Sequence, residues 1–201
     1  MKKLLLLIAI CSSISIFSQN TPKEEKTKGR FFGGLESNSQ WYLNDVERGI
    51  NHPDNPIRSN NYLLVNYNYG KWTAGIQAES YDPQPLLNFN PKYIKTNLGT
   101  YYLNYKTEKI DVTAGYFYEQ FGSGLLLRSW EDRSLGINNA IRGGKIVLRP
   151  TENLSFTGLY GNQRTWFDVS KGIIYGFDSD INLSGILKME KSDLSVGFSY
   201  V

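Results

Sequence analysis

The sequence predicts an all-β fold, because short charged connections alternate with long irregular ones between segments in which apolar and polar residues alternate. The short connections span 69–71, 107–109, 150–153 and 190–193, and the long ones span 43–59, 81–96, 122–142 and 164–180. Tight turns at one end of a sheet and long loops at the other are typical of outer-membrane barrels. We therefore predict an antiparallel transmembrane β-barrel.

Residues 1–18 have the pattern of a secretory signal peptide. Two lysines precede the apolar run 4–10, and a serine-rich stretch follows it. This run is much shorter than the ~20 apolar residues that a membrane-spanning helix needs. Cleavage after Ser18 would remove Cys11, the single cysteine, and would exclude disulfide bonds and thiol catalysis in the mature chain. A lipoprotein cut before Cys11 is the alternative, although Ile10 is large for that position.

The rest of the chain divides into a short leader and one barrel domain. Residues 19–29 are rich in lysine and glutamate and are predicted to form a solvated periplasmic leader, and residues 30–201 are predicted to form the barrel. The chain has 14 Tyr, 10 Phe and 19 Gly but only 2 Met. Its mean hydropathy of −0.39 fits strands with one face in lipid and one in water. The net charge of +3 comes from scattered lysines and arginines without a basic stripe, which argues against nucleic-acid binding.

Most predicted strands sort into an apolar face and a polar face. In the segment 71–79 the apolar set alternates with Thr73, Gly75, Gln77 and Glu79, and the apolar set consists of Trp72, Ala74, Ile76 and Ala78. Two segments are less regular, since Tyr102 and Leu159 fall on the nominal polar face. A soluble secreted β-sandwich also has alternating strands. The predicted signal peptide and the pattern of connections favour the barrel.

We count about nine strands, at 30–42, 60–69, 71–80, 97–106, 110–121, 141–149, 154–163, 181–189 and 194–201. If the amino end starts in the periplasm, the short turns lie there and the ninth strand ends on the extracellular side. Bacterial barrels usually have an even number of strands, and an unpaired edge strand is costly in lipid. The chain is therefore predicted to be the amino-terminal part of a larger barrel. An eight-stranded barrel with one miscounted segment is the alternative.

The third long connection has the most specific local pattern. It combines glycines, an apolar patch and charges of both signs in the run Glu119–Gly144. In trimeric porins the third external loop folds inward and narrows the pore with opposed charges. By analogy, a pore constriction could be lined by the charged side chains of Glu119, Arg128, Glu131, Asp132, Arg133 and Arg142. The alternative, which we favour, is that these charges form salt bridges that hold the loop on the barrel wall or rim.

The same run also carries a family resemblance. Its pattern Glu-x-Phe-Gly-x-Gly-Leu, followed by Leu-Arg, Glu-x-Arg, Leu-Gly and Asn-Asn, resembles an uncharacterised outer-membrane β-barrel family of Bacteroidetes. The resemblance is concentrated in Glu119–Gly144 and rests elsewhere on the strand pattern. It implies an outer-membrane barrel longer than this chain, and it transfers no activity and no catalytic or binding residue.

No catalytic, cofactor-binding or metal site is predicted. His52 is the single histidine and lies in a proline- and asparagine-rich loop near Asp45, Glu47 and Asp54. A solvated histidine is the simpler interpretation, and the carboxylates lack the ligand spacing of a calcium loop. The glycine pairs do not follow a strand-to-helix pattern, so nucleotide binding finds no support. We predict that the protein is not an enzyme and has no cofactor.

Two functional classes remain, both in the bacterial outer membrane. In the first, the protein is a scaffold or a receptor that binds other envelope proteins through its long external loops. In the second, it is a passive or gated diffusion porin with the loop 122–142 as constriction. The porin lumen would then be lined by Gln77, Glu79, Asp111, Thr113, Glu119, Lys145 and Arg149. We favour the first class, with outer-membrane lipid and the outer-membrane assembly machinery as the other expected partners.

Overall fold

The structure is a computed structural model that describes residues 28–87, 89–90, 92–93, 95–189 and 192–201. The predicted signal peptide, Cys11 and most of the predicted leader lie outside the described residues. Within the described part, the chain is all-β and the strands pair in an antiparallel manner. The predicted fold class is confirmed at this level.

Nine long strands form one antiparallel sheet in which each strand pairs with the next long strand along the chain. Their bounds are β1 Arg30–Trp41, β2 Ile57–Tyr69, β3 Trp72–Ser80, β4 Thr96–Lys106, β5 Ile110–Phe117, β8 Ile141–Thr151, β9 Leu154–Thr165, β11 Ile174–Asn182 and β12 Ser195–Tyr200. The short strands β6 (Glu131–Asp132) and β7 (Ile137–Asn138) form a hairpin between β5 and β8, and β10 (Asp168–Val169) pairs with β9. In the described part of the chain, β1 and β12 are the two edges of the sheet, and no hydrogen-bonded pairing closes it.

The cross-strand register places most of the exposed apolar residues of the nine long strands on one face, which we call the outer face. Ala74 lies opposite Tyr67 on one side and Leu103 on the other, and Leu103 continues the row to Ala114. The exposed large side chains of this face include Phe31, Tyr67, Trp72, Ile76, Tyr101, Leu103, Val112, Ile146, Tyr160, Phe177 and Phe198. A face of this size that is both apolar and exposed needs a covering medium or partner.

The opposite face, which we call the inner face, is polar and largely buried. Its buried polar residues include Asn60, Asn66, Gln77, Glu79, Thr100, Thr113 and Asp178. The two residues that blur the sequence pattern lie here as well. The Tyr102 hydroxyl donates a hydrogen bond of 2.9 Å to Asn66 Oδ1, and Leu159 packs against Phe117 and Phe121. The inner face therefore accommodates isolated large side chains among its polar groups.

A contact between non-neighbouring strands shows that the sheet is strongly curved. Glu79 of β3 and Arg164 of β9 are separated by four steps in the strand order, yet their side chains approach to 2.7 Å. In a flat sheet with ~4.8 Å between strands these residues would lie roughly 19 Å apart. Since extended side chains cannot bridge that distance, the sheet curls around its inner face.

The carboxyl-terminal hairpin differs from the prediction. The predicted strand 181–189 is the end of β11 followed by the short helix α1 (Leu183–Leu187), so the connection to β12 is longer than the predicted 190–193. The Asn182 side chain starts the helix by accepting a hydrogen bond of 2.9 Å from Gly185 N, and Lys188 ends it with φ of 52°. The connection predicted at 164–180 is also shorter than expected, because β11 already begins at Ile174. Within it, the chain turns at Trp166 from β9 directly into β10.

The structure describes no helix that is long and apolar enough to cross a membrane.

Among the glycines of the described strands, Gly115 is the one with a positive φ, a backbone conformation that a side chain strains. Its φ is +106°, and an added Cβ would lie 2.4 Å from the Tyr101 carbonyl oxygen. We predict that Gly115→Ala lowers the free energy of unfolding by about 1–3 kcal/mol. Gly144→Ala is the matched control on a neighbouring strand, since its Cβ would meet its nearest atom at 4.0 Å. Urea titration read by tryptophan fluorescence measures both, and equal losses would contradict the strain argument.

Candidate functional site

The connection between β5 and β8 begins with a compact turn at residues 120–128. Gln120 and Arg128 form an isolated bridge, and Phe121 N donates a hydrogen bond of 3.1 Å to Leu127 O. Gly122 and Gly124 have φ of 50° and 85°, which other residues rarely adopt. Phe121 and Leu127 are buried with Ile141 and Leu159, so the base of the turn is fixed by apolar packing.

The tip of this turn is apolar and exposed. Leu125 is 92% exposed and Leu126 is 60% exposed. Next to the turn, the Arg128 guanidinium lies 4.6 Å from the centre of the Trp130 ring. The exposed leucines are thus presented on a turn whose neighbours are held in place.

The connection continues as the β6–β7 hairpin, whose tip is ordered by Asp132. The Asp132 carboxylate accepts hydrogen bonds from the Ser134 hydroxyl at 2.6 Å, from Ser134 N at 2.9 Å and from Leu135 N at 3.1 Å. The hydrogen bonds from Ser134 and Leu135 lower the pKa of Asp132 below its usual value. This carboxylate therefore serves the hairpin's own turn.

The hairpin lies against the inner face of the sheet and is held there by charged groups. Glu131 Oε1 accepts a hydrogen bond of 2.9 Å from Gln77 Nε2 of β3. Arg133 forms an ion pair of 2.6 Å with Glu36 of β1 and lies 4.6 Å from the Tyr62 ring centre. Burial alone would lower the pKa of Arg133, but its interactions with Glu36 and Glu131 raise it above the usual value. The hairpin thus contacts three adjacent strands.

Next to this contact lies a fully buried ion pair between Glu79 and Arg164. The two guanidinium nitrogens donate hydrogen bonds of 2.8 and 2.7 Å to the two carboxylate oxygens. Gln77 Nε2 and the Tyr81 hydroxyl donate two more, at 3.0 and 2.9 Å. The Glu79 carboxylate therefore accepts four hydrogen bonds, and its desolvation is compensated by a bidentate partner.

Aromatic side chains complete this layer from two other connections. The Tyr81 ring is 4.7 Å from the Tyr93 ring, 5.9 Å from Phe89 and 6.0 Å from Phe167, centre to centre. Burial, together with the neighbouring Glu79 carboxylate, raises the pKa of the Tyr81 hydroxyl. Residues from the β3–β4 and β9–β10 connections thus pack beside the Glu79–Arg164 pair. We call the hairpin, the ion pair and these aromatic residues together the inner-face roof.

The structure brings together only part of the predicted constriction set. Glu131 and Arg133 lie side by side in the roof, with Arg133 Nε 3.4 Å from Glu131 Oε1. Glu119 forms a separate ion pair on the inner face, in which its Oε2 lies 2.9 Å from Lys145 Nζ. Arg142 is exposed, and its register with Tyr116 and Asn162 places it on the outer-face side. Arg128 and Asp132 take part in local contacts, as described above.

The sequence interpretation missed Arg164 and the aromatic residues of the roof. Gln77 and Glu79 were recognisable as polar positions of a strand, but Arg164 was assigned to the start of a loop. Its partner lies 85 positions earlier in the chain, and no local pattern signals such a pair. A single arginine at the end of a strand of otherwise uncharged residues was the one available signal.

The hairpin leaves a cavity of about 510 Å³ on the inner face. It extends between Glu131, Arg133 and Lys145, and its remaining polar lining comes mainly from Gln77, Thr100, Asn104 and Thr113. No group of three histidine, cysteine, aspartate or glutamate side chains with metal-site geometry occurs among the described residues. Asp45, one of the loop carboxylates considered above, lies 3.6 Å from Arg48.

Comparison with known proteins gives the family of the chain. The sequence profile of a family of unknown function, DUF6029, matches residues 1–201. The chain belongs to the DUF6029 family. No curated protein matches it. Membership in DUF6029 assigns no activity.

Removing one partner of the buried ion pair tests the roof. We predict that Arg164→Ala lowers the free energy of unfolding by about 3–5 kcal/mol, because it leaves the Glu79 carboxylate buried without its counter-ion. Arg48→Ala is the control, since it breaks an ion pair whose arginine side chain is 79% exposed, and it should cost less than about 1 kcal/mol. Chemical denaturation of both variants measures the difference. Losses of similar size would show that the buried pair does not hold the roof.

Proposed function

We propose that this DUF6029 protein is an outer-membrane β-barrel that acts through its long external loops, as a scaffold or receptor, without an open pore. The observation that carries the proposal is the inner-face roof. The β6–β7 hairpin lies across the polar inner face and is held there by Gln77 and Glu36. The side that would form the lumen is thus occupied at the long-loop end.

The outer face supports a location in lipid. It carries most of the exposed apolar side chains of the nine long strands, whereas most of the buried polar side chains lie on the concave side. This is the reverse of a soluble β-sandwich, whose apolar face is buried. Exposed aromatic side chains such as Tyr69 and Trp72 lie at the strand ends, where interfacial aromatic belts occur in membrane barrels.

The edges of the sheet support a barrel larger than these nine strands. In the described residues, β1 and β12 each pair on one side only. Unpaired N–H and C=O groups cost several kcal/mol each in the hydrocarbon region. We therefore propose that further strands join β1 to β12 in the membrane, with residues 30–201 as the amino-terminal part of that barrel.

Orientation and export complete the proposal. The predicted signal peptide would deliver the chain to the periplasm, and the short turns would face the periplasm while the long loops face outward. The resemblance in Glu119–Gly144 supports the same location. Other envelope proteins are the proposed loop partners, and outer-membrane lipid and the assembly machinery serve insertion. No enzymatic activity is proposed.

The pairing of charges favours the scaffold over the porin. A pore constriction selects solutes through charges that are available to the solute. In the roof, Arg133 is paired with Glu36 and Glu131, and Arg164 is paired with Glu79. These charged groups are paired with each other and hold the inner-face roof in place. The porin is the second candidate, because charged and polar side chains line part of the 510 Å³ cavity beneath the hairpin.

Conductance distinguishes the two candidates. We predict that the full-length chain, reconstituted in planar bilayers, gives no stepwise ion conductance, because the hairpin, the ion pair and the aromatic layer lie across the inner face. Arg133→Ala should remain closed, since it removes one anchor and leaves the Glu79–Arg164 pair in place. Arg48→Ala, which breaks an exposed loop ion pair, is the control. Conductance in the wild type, or its appearance in Arg133→Ala alone, would support a porin gated by the hairpin.

Contact of the outer face with lipid is tested by introducing one lysine on the outer face or, as the control, on the inner face. Ile146 is exposed on the outer face near the middle of β8, and Thr157 is a half-buried inner-face residue on the adjacent β9. We predict that Ile146→Lys costs about 2–4 kcal/mol in urea-dependent folding into lipid vesicles, as expected near the bilayer midplane. Thr157→Lys should cost less, because the inner face is polar. The reverse order would contradict the assignment of the outer face to lipid.

A further inference from the structure

The short-turn end of strands β1 to β5 carries a cluster of lysines. Lys106 N donates a hydrogen bond of 2.9 Å to Lys71 O, so the β2–β3 turn lies directly beside the end of β4. Lys109 belongs to the next turn, and all three lysines are exposed. A cleft at this end is lined by these lysines together with Glu108 and Ile110. The cluster thus brings three ammonium groups to one rim.

The carboxylates near this cluster do not balance it. Lys106 Nζ lies 3.7 Å from Asp111 Oδ2, and Glu108 lines the same cleft. Among the described residues, neither Lys71 nor Lys109 forms an ion pair. Arg30 starts β1 at the same end of the sheet and is also exposed. This rim is therefore a positive surface suited to an anion.

An apolar groove begins on the outer face of the same strands. It has a volume of about 510 Å³, and small residues, Ala74 and Ala114, lie along it. Larger side chains, Tyr67, Tyr101 and Leu103, border it. The groove is thus a depression of the surface that faces lipid in the proposed function.

Aromatic side chains lie between the rim and the groove. Trp72 follows Lys71 directly, is 47% exposed and has its ring 4.8 Å from the Tyr105 ring. Ala74 of the groove is two residues further along the same face of β3. Amphipathic rings prefer the boundary between headgroups and hydrocarbon. The order along β3 is therefore cation, interfacial aromatic ring, apolar groove.

We propose that this surface binds an anionic phospholipid of the periplasmic leaflet. Its phosphate contacts Lys71, Lys106 and Lys109, and one acyl chain occupies the groove at Ala74 and Ala114. Lysines at a membrane surface attract anionic lipid with ~1 kcal/mol each, which corresponds to about a fivefold preference. The inference rests on the proposed function, because it needs the outer face to lie in lipid.

Quenching of Trp72 by brominated lipids tests the site. The reporter is the full-length chain with Trp41, Trp130 and Trp166 replaced by phenylalanine, folded into vesicles. Brominated phosphatidylglycerol or brominated phosphatidylcholine is then titrated at low mole fraction. We expect the anionic lipid to quench several-fold more effectively, and each of Lys71→Gln, Lys106→Gln and Lys109→Gln to reduce this preference, by about fivefold at most.

Two sets of variants distinguish a lipid bound at this site from general electrostatic attraction between anionic lipids and surface lysines. Lys95→Gln and Lys171→Gln remove exposed lysines at the long-loop end and should keep the preference. Ala114→Leu fills the groove without changing charge and should reduce the preference. Retention of the preference in Ala114→Leu would overturn the groove as a binding site. Should the reporter not fold, mass spectrometry of lipids retained by the wild-type chain gives the same ratio.

The outcomes also distinguish this inference from the proposed function. Equal quenching by both lipids would place Trp72 in the membrane and overturn the lipid site alone. If neither lipid quenches Trp72, the membrane location is overturned, and the lipid site with it.

Discussion

The rest of the architecture depends on the buried pair between Glu79 and Arg164. It joins two strands that are four steps apart in the sheet, so it exists only if the sheet is curled. The curl gathers the polar residues on the concave side and turns the apolar residues outward. Desolvation offsets much of the attraction in a buried ion pair. Its main consequence here is therefore geometric, since the pair is compatible only with a curled sheet.

The roof follows from the same interaction. Gln77, which donates to Glu79, also donates to Glu131, so the strand and the hairpin share one hydrogen-bond network. Tyr81 donates to Glu79 and packs against Phe167, which brings two further connections into contact. Polar networks of this kind are sensitive to the loss of any member, because an unsatisfied buried group is costly. The long connections are thus coupled through one carboxylate.

The parts that the sequence predicts are those that depend on neighbouring residues. Side chains alternate in every strand, so Trp72, Ala74 and Ile76 could be assigned to one face of β3 without knowledge of the fold. The helix α1 was missed because five residues are too few for a helical period, and Leu183 and Leu187 also fit a strand pattern. Arg164 was missed because its partner is set by the curvature. For the same reason, the charged loop was recognisable, but the pairing of Arg133 with Glu36 was not.

The two ends of the sheet use basic residues in different ways. At the long-loop end, Arg133 and Arg164 have fixed carboxylate partners, which suits the planar, bidentate guanidinium group. At the short-turn end, exposed lysines outnumber the acids around them, and a flexible ammonium group suits a mobile ligand surface.

The compact turn at residues 120–128 combines a buried base with an exposed tip. Phe121 and Leu127 are buried and fix its base, while Leu125 and Leu126 stay exposed. An exposed apolar tip on an ordered base loses little conformational entropy when a partner covers it. The base of the same turn packs against Phe117 and Leu159 of the inner face, so only its tip is left free for contact. This arrangement accords with the proposed role of the long connections in binding a partner.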